Sequence, residues 1–286
     1  MLSYALDLIT QADQVAERGG LDAALAVLRQ VPLDDFGELM ISLPLSTFPR
    51  LSALLPRMAS EQTQINWTGT SGLSLLQQTS AFVRVLAYEY ERFSGRALSE
   101  ARILDFGCGY GRILRSLYYY TDPSNLYGCD SWDVSLRICQ EDGLLGQFAL
   151  SDDLPRSLPF PSPFDLIYAF SVFTHLSERA TKQCLSTLAD SLAPDGLLAL
   201  TIRPEEYWAF NPSFTDAQRE ALLQAHRARG FAFMPHNRPA IDGDVTYGDT
   251  SMSFAYLDRV EPRLKICRIE RTLVDPFQII AFLRRV

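Results

Sequence analysis

The stretch Ala101-Arg102-Ile103-Leu104-Asp105-Phe106-Gly107-Cys108-Gly109-Tyr110-Gly111-Arg112 decides the fold. Its first half is short, apolar and β-prone, three glycines come next at alternate positions, and Ile113, Leu114 and Leu117 then return at helical spacing. The reading is strand, tight turn, helix. Gly107, Gly109 and Gly111 would let the chain turn sharply and let a ligand approach bare main chain at the carboxyl edge of a first parallel strand.

Two details separate this turn from a dinucleotide-binding one. That pattern wants a glycine three residues after its second, where Arg112 stands here. Asp105, just ahead of the turn, would repel a pyrophosphate but not a ligand carrying an ammonium and a sulfonium. The run Ile103 to Gly111 resembles the first motif of the class I S-adenosylmethionine-dependent methyltransferases. That resemblance implies an α/β fold with a Rossmann-like seven-stranded, mostly parallel sheet. It also implies S-adenosylmethionine as cofactor, held at Asp105, Gly107, Cys108, Gly109 and Gly111.

Downstream, a second strand over Asn125 to Cys129 ends in Asp130, 19 residues past the last glycine. An acid there meets the two hydroxyls of a cofactor ribose, and a carboxylate accepts from both; a helix N-cap is the competing and compatible role. Ser131 and Trp132 come next, the tryptophan placed either along an adenine or in packing. A third strand, Phe148 to Leu150, leads to Asp152 and Asp153, one of which the resemblance puts near the adenine amino group.

A fourth strand, Phe164 to Phe170, runs into Ser171-Val172-Phe173-Thr174-His175-Leu176, which resembles the Ser-x-Phe-x-His-Leu segment of several small-molecule methyltransferases. Phe170 joins the expected cofactor set. His175 reads either as a general base or as a cap for the helix expected from Glu178 to Leu192. Ala193-Pro194-Asp195-Gly196 should then turn tightly into a fifth strand, Leu197 to Ile202. Arg203, Pro204, Glu205, Tyr207 and Trp208 would line the same edge.

An insertion of about 204–244 is expected to build an acceptor pocket, with a helix from Asp216 to Arg229 and a loop holding His236, Asn237, Arg238 and Asp242. Val245 to Met252 should open the sixth-strand region. Tyr247 and Asp249 are reserve catalytic candidates behind His175. Strands at Lys265 to Leu273 and Phe277 to Leu283 would close the sheet, the last antiparallel by the resemblance.

Upstream, Ala5, Leu8, Ile9, Ala12 and Val15 form one helical stripe, Gly19-Gly20 interrupt it, and Leu21, Ala24, Leu25 and Leu28 form another. Prolines 32, 44, 49 and 56 cut the next apolar stretch into short pieces. Residues 1–75 thus read as an all-helical extension, for packing or dimerisation or as a roof over the site, ahead of a domain at 76–286. Glu61 to Ser74 is polar and glycine-bearing, so a loop around Trp67 to Gly72 is expected either to close over the cofactor or to serve as a linker.

A length of 286 residues, 47% apolar and 21% charged, suits a globular α/β domain with an elaboration. No apolar run approaches the roughly 20 residues of a membrane span, and no basic start with an apolar core marks a signal peptide. Five scattered cysteines lack metal-ligand spacing, so no metal is expected and a reduced, cytoplasmic setting is inferred. A net charge of −8 disfavours nucleic acid and favours a small or neutral acceptor. The Asn/Asp-Pro-Pro-Tyr/Phe motif of amino-directed methyltransferases is absent after strand four, which favours an oxygen or carbon acceptor on a small molecule; the expected acceptor is a small-molecule hydroxyl, on a sugar or natural product of bacterial type. The alternative keeps the fold and drops the chemistry: a silent cofactor-binding partner.

Overall fold

The computed structural model describes residues 3–286; Met1 and Leu2 of the expected extension lie outside them. The first helices are α1 (Ser3–Leu28), α2 (Leu33–Ser42), α3 (Pro49–Leu54), α4 (Glu61–Thr68) and α5 (Gly72–Ser94). Then come β1 (Ile103–Phe106), α6 (Arg112–Leu117), β2 (Leu126–Asp130), α7 (Asp133–Glu141), β3 (Gln147–Leu150), β4 (Phe164–Ala169), α8 (Glu178–Ser191) and β5 (Leu192–Ile202). The chain ends with α9 (Tyr207–Phe210), α10 (Asp216–Arg229), β6 (Phe231–Pro235), β7 (Gly248–Met252), α11 (Phe254–Val260), β8 (Leu264–Glu270) and β9 (Ile279–Arg285).

Seven strands form one sheet in the order β3-β2-β1-β4-β5-β9-β8, and β6 pairs with β7 apart from it. β1 runs parallel to β4, β4 to β5 and β2 to β3, whereas β9 is antiparallel to both β5 and β8. The seven-stranded, mostly parallel sheet matches the expectation. By its contacts the chain divides into two compact units, residues up to Arg102 with Cys108–Leu150, and Ile103–Gly107 with Ser151–Val286. That division differs from the expected boundary at 75/76, which α5 crosses without a break.

In the first unit, α1 bends at Gly20, whose φ of 62° and ψ of −151° interrupt the helix where the glycine pair stands. The expected loop at Glu61–Ser74 is instead mostly helix. Ser60 caps α4 by accepting from Thr63 N–H, Gly69 ends it in the left-handed region at φ 78°, and Gly72 opens α5. Those caps satisfy the terminal backbone groups that the polar composition had assigned to solvent. α6 stops at Leu117, so Tyr118, Tyr119 and Tyr120 lie beyond it; Tyr118 is wholly buried and donates to the Leu145 carbonyl at 2.7 Å.

In the second unit, β4 and β5 are almost continuously buried. Ala193 to Gly196 is a bulge inside β5 instead of a turn before it: Phe164 pairs with Leu192, and Leu166 already with Leu197. α10 begins and ends as expected, because Thr215 and Gln218 close a capping box and Gly230 terminates it at φ 76°. The expected sixth-strand region is corrected: β7 pairs with β6 in a separate ribbon, and β8 and β9 complete the main sheet. The Phe231–Pro235 strand went unread because its short apolar run borders the end of α10 with only Gly230 between.

Candidate active site

The glycine turn is built as the sequence implies. Gly107, Gly109 and Gly111 have φ of 80°, 55° and 72°, all in the region that favours glycine. They serve different ends. An ideal Cβ at Gly107 would fall 2.4 Å from Val172 Cγ2 and one at Gly111 2.0 Å from Leu144 Cδ2, so these two are glycines for packing. A Cβ at Gly109 would meet only the Trp67 ring, at 3.6 Å. Asp105, on β1 ahead of the turn, is buried.

Within the first unit, Asp130 ends β2 and fixes the turn: its Oδ2 accepts from Gly109 N–H and its Oδ1 from Trp132 N–H, both at 2.9 Å. Cys108 N–H donates to the Cys129 carbonyl at 3.0 Å. These two bonds fix the orientation of the Asp130 carboxylate against the turn. Trp67 stacks on Trp132 with ring centres 4.9 Å apart and 21° between planes, and meets Tyr110 edge-on at 5.6 Å. Ser131 is exposed on the same connection.

Within the second unit, β4 runs out at Ala169 into Phe170 and Ser171. Ser171 holds a φ of 60°, unusual for a residue with a side chain. It is held there by Thr201 Oγ1, which accepts from its N–H at 2.7 Å, and by Gln278 Nε2, which donates to its hydroxyl at 2.9 Å. Asp152 and Asp153 are exposed past β3.

The expected catalytic residues do meet, together with partners that the sequence left undistinguished. His175 Nδ1 lies 2.7 Å from the Gly248 carbonyl and Nε2 lies 3.1 Å from Arg203 Nη2. A carbonyl only accepts and a guanidinium only donates, so the proton is on Nδ1 and the Nε2 lone pair faces the arginine. Burial, with the Arg203 charge next, pushes His175 down to about 4.

Asp249 is the hub. Its Oδ1 accepts from Arg203 Nη1 at 2.7 Å and from the Tyr207 hydroxyl at 2.8 Å, and its Oδ2 faces His236 Nε2 at 3.1 Å. Burial alone would raise its carboxyl, but the bonds from His236, Arg203 and Tyr207 more than offset that and hold it below the ordinary range. Partial burial, with the Asp249 carboxylate beside it, pushes Tyr207 up to about 12. Tyr247 stacks on His175 with 5.1 Å between centres and carries Arg238 over its ring at 4.5 Å. His226, the third histidine, is structural: with Trp208 it closes on Ser251 Oγ, each contact 2.7 Å.

Neither Arg203 with Asp249 nor Asp249 with His236 is signalled by spacing. The β6–β7 ribbon brings them together: Met234 pairs with Asp249, and His236 comes directly after the end of β6. Among the described residues no three of His, Cys, Asp and Glu group as a metal site, and no helix is long and apolar enough to cross a membrane.

Residues 103–196 match the family described as a methyltransferase domain. That segment, about a third of the chain, is similar to this family, and the sheet order is that of the class I methyltransferase fold. The glycine turn and the β2 acid lie inside the matched segment. No curated protein matches the chain. Among solved structures, it resembles magnesium protoporphyrin IX methyltransferase from Synechocystis PCC 6803, determined with bound SAH. The two share 15% identity and a TM-score of 0.50 over 78% of this chain and 97% of that one. It also resembles the PH0226 protein of Pyrococcus horikoshii OT3, at 12% identity and a TM-score of 0.50 over 73% and 92%. At these identities the likeness is one of fold.

Proposed function

We propose that this methyltransferase acts on a hydroxyl of a small-molecule acceptor, a sugar or natural product, and that His236 takes the hydroxyl proton. The observation that carries the reading is the Asp249–His236 pair at 3.1 Å. His236 points Nε2–H at a carboxylate, is 40% exposed at its side chain, and keeps Nδ1 for a proton. His175, the base expected from sequence, has both nitrogens engaged and becomes a positioning residue: through Arg203 and the Gly248 carbonyl it holds the strand that carries Asp249.

When bound, S-adenosylmethionine supplies an electrophilic methyl group on a sulfonium that leaves as a neutral thioether. The residues fit it: Gly109 presents bare main chain, Asp130 is a carboxylate held at the turn by Gly109 N–H, the group type that accepts from ribose hydroxyls, and buried Asp105 stands ahead of the turn. Cys108, Ser131 and Trp132 complete the proposed contacts of the first unit. A hydroxyl is a poor nucleophile until its proton is removed, and a positioned base contributes typically about 10² to 10⁴ in rate. His236 would take that proton at Nδ1 while Asp249 stabilises the imidazolium. Arg203 and Tyr207 keep Asp249 ionised and aimed.

The net charge of −8 supports a small or neutral acceptor over nucleic acid. The helices before β1 are proposed as a packing or dimerisation element. The test has two stages. Calorimetry should show binding of S-adenosylmethionine and S-adenosylhomocysteine and none of NAD. Methyl-labelled cofactor with a panel of nucleotide sugars, glycosides and phenols should then give a methyl ether. A methylated nitrogen or carbon overturns the hydroxyl, and NAD binding without S-adenosylmethionine overturns the cofactor.

A further inference from the structure

Three aromatic rings converge on the glycine turn. Trp67, on α4, stacks on Trp132 and meets Tyr110 edge-on, and its six-membered ring lies 3.6 Å from where a Cβ at Gly109 would be. Gly109 is tied in turn to the Asp130 carboxylate. The rings are not sunk in the core: Trp132 is 45% exposed and Trp67 partly so. Elsewhere this chain covers ring faces with its own cations, as Arg102 does Tyr127, Arg203 does Tyr207 and Arg238 does Tyr247. Among the described residues no lysine or arginine lies over Trp67 or Trp132.

The way α4 is held separates these rings from ordinary packing. Most of its side-chain hydrogen bonds stay within its own segment: Gln64 donates to the Ala59 carbonyl and accepts from Gly72 N–H, Thr68 donates to the Gln64 and Thr70 carbonyls, and Ser71 donates to Glu61. Trp67 links this short helix to the glycine turn through its ring. A bare helix-to-turn contact needs one apolar side chain; two stacked indoles with a carboxylate close by make an electron-rich surface that attracts a cation.

We propose that Trp67, with Trp132 and Tyr110, recognises the positive charge of the methyl donor and so separates the sulfonium cofactor from its neutral thioether product. The inference rests on the cofactor assignment above and deepens it. Both ligands carry the same adenosine and the same amino-acid tail, so contacts at Asp130 do not tell them apart. Only the sulfonium differs, and a cation over indole faces gains what a thioether does not. Loss of that charge on methyl transfer then loosens the product.

The test is calorimetric titration of the full chain with S-adenosylmethionine, S-adenosylhomocysteine and sinefungin, whose protonated amine replaces the transferable methyl beside the sulfonium position. Wild-type protein should bind both cationic ligands more tightly than the thioether, by about two- to thirtyfold, the span of cation–π contacts. Trp67→Leu should erase that ratio while changing thioether affinity less than about threefold, and Trp132→Leu should act in the same direction. Equal affinities in the wild type, or equal loss or gain of all three ligands in Trp67→Leu, overturn the proposal. The wild-type sinefungin comparison decides it even where a variant does not fold. Wild-type protein that binds none of the three overturns the cofactor assignment itself.

Discussion

His236 Nε2 stands 3.1 Å from Asp249 Oδ2, on a ribbon that pairs outside the main sheet. The arrangement makes His236 the histidine with a nitrogen to offer, since His175 spends one on the Gly248 carbonyl and the other on Arg203. His236→Gln is expected to lower kcat with an active acceptor by about 10² to 10⁴, with cofactor affinity unchanged. A fall under about tenfold removes it as the base. Steady-state S-adenosylhomocysteine production, with calorimetry of cofactor binding alongside, measures both.

His175 should instead show itself in stability. Its folded-state value of about 4 lies below the ordinary value of 6.5. The unfolded chain therefore binds the proton first as pH falls, and stability is full above about 6.5 and lost as pH drops toward 4. Urea midpoints of the wild type should decline across that window. The decline should be shallower for His175→Gln, whose amide retains one donor and one acceptor. Equal slopes would mean that His175 titrates normally and is not neutral in the fold.

Asp130 links the turn to its expected ligand. Replacing it with alanine removes the acceptor for Gly109 N–H and Trp132 N–H together with the proposed ribose partner. Loss of a charged hydrogen-bond partner costs about 1.5 to 3 kcal/mol, so the dissociation constant for S-adenosylmethionine should rise about ten- to hundredfold by calorimetry. An unchanged constant would confine Asp130 to shaping the turn.

The features legible in the sequence were those that local rules govern. Three glycines at alternate positions, an acid closing the second strand, and a helix from Asp216 to Arg229 each follow from a few neighbouring residues, and each is found where the pattern puts it. The insertion was legible as an insertion but not as a ribbon, because β6 and β7 are joined by register across the long connection between Pro235 and Gly248. For the same reason the sequence ranked His175 above His236: a histidine after a strand is a local signal, while the partners that silence one and orient the other arrive from Arg203 and Asp249. α4 was misread because composition says loop where Ser60 and Gly69 supply the caps.

The three glycines of the turn should answer alanine differently, although all have positive φ. Each substitution carries the strain of a left-handed side chain, about 1 to 2 kcal/mol. Gly107→Ala adds a clash at 2.4 Å with Val172, a β-branched side chain with little rotamer freedom, so about 1 to 3 kcal/mol of overpacking is added. Gly111→Ala presses on the far end of Leu144 at 2.0 Å, which can turn away, and should cost less than Gly107→Ala. Gly109→Ala meets only the Trp67 ring at ordinary contact distance, so its folding penalty should be the smallest of the three. Its effect should fall on the cofactor instead, because a methyl group there stands against the aromatic surface at which the donor is proposed to sit. Urea unfolding should rank stability loss as Gly107→Ala, then Gly111→Ala, then Gly109→Ala. Calorimetry should find folded Gly109→Ala weakened for S-adenosylmethionine; a Gly109→Ala protein that binds it like the wild type would mean that this face of the turn is not a ligand face.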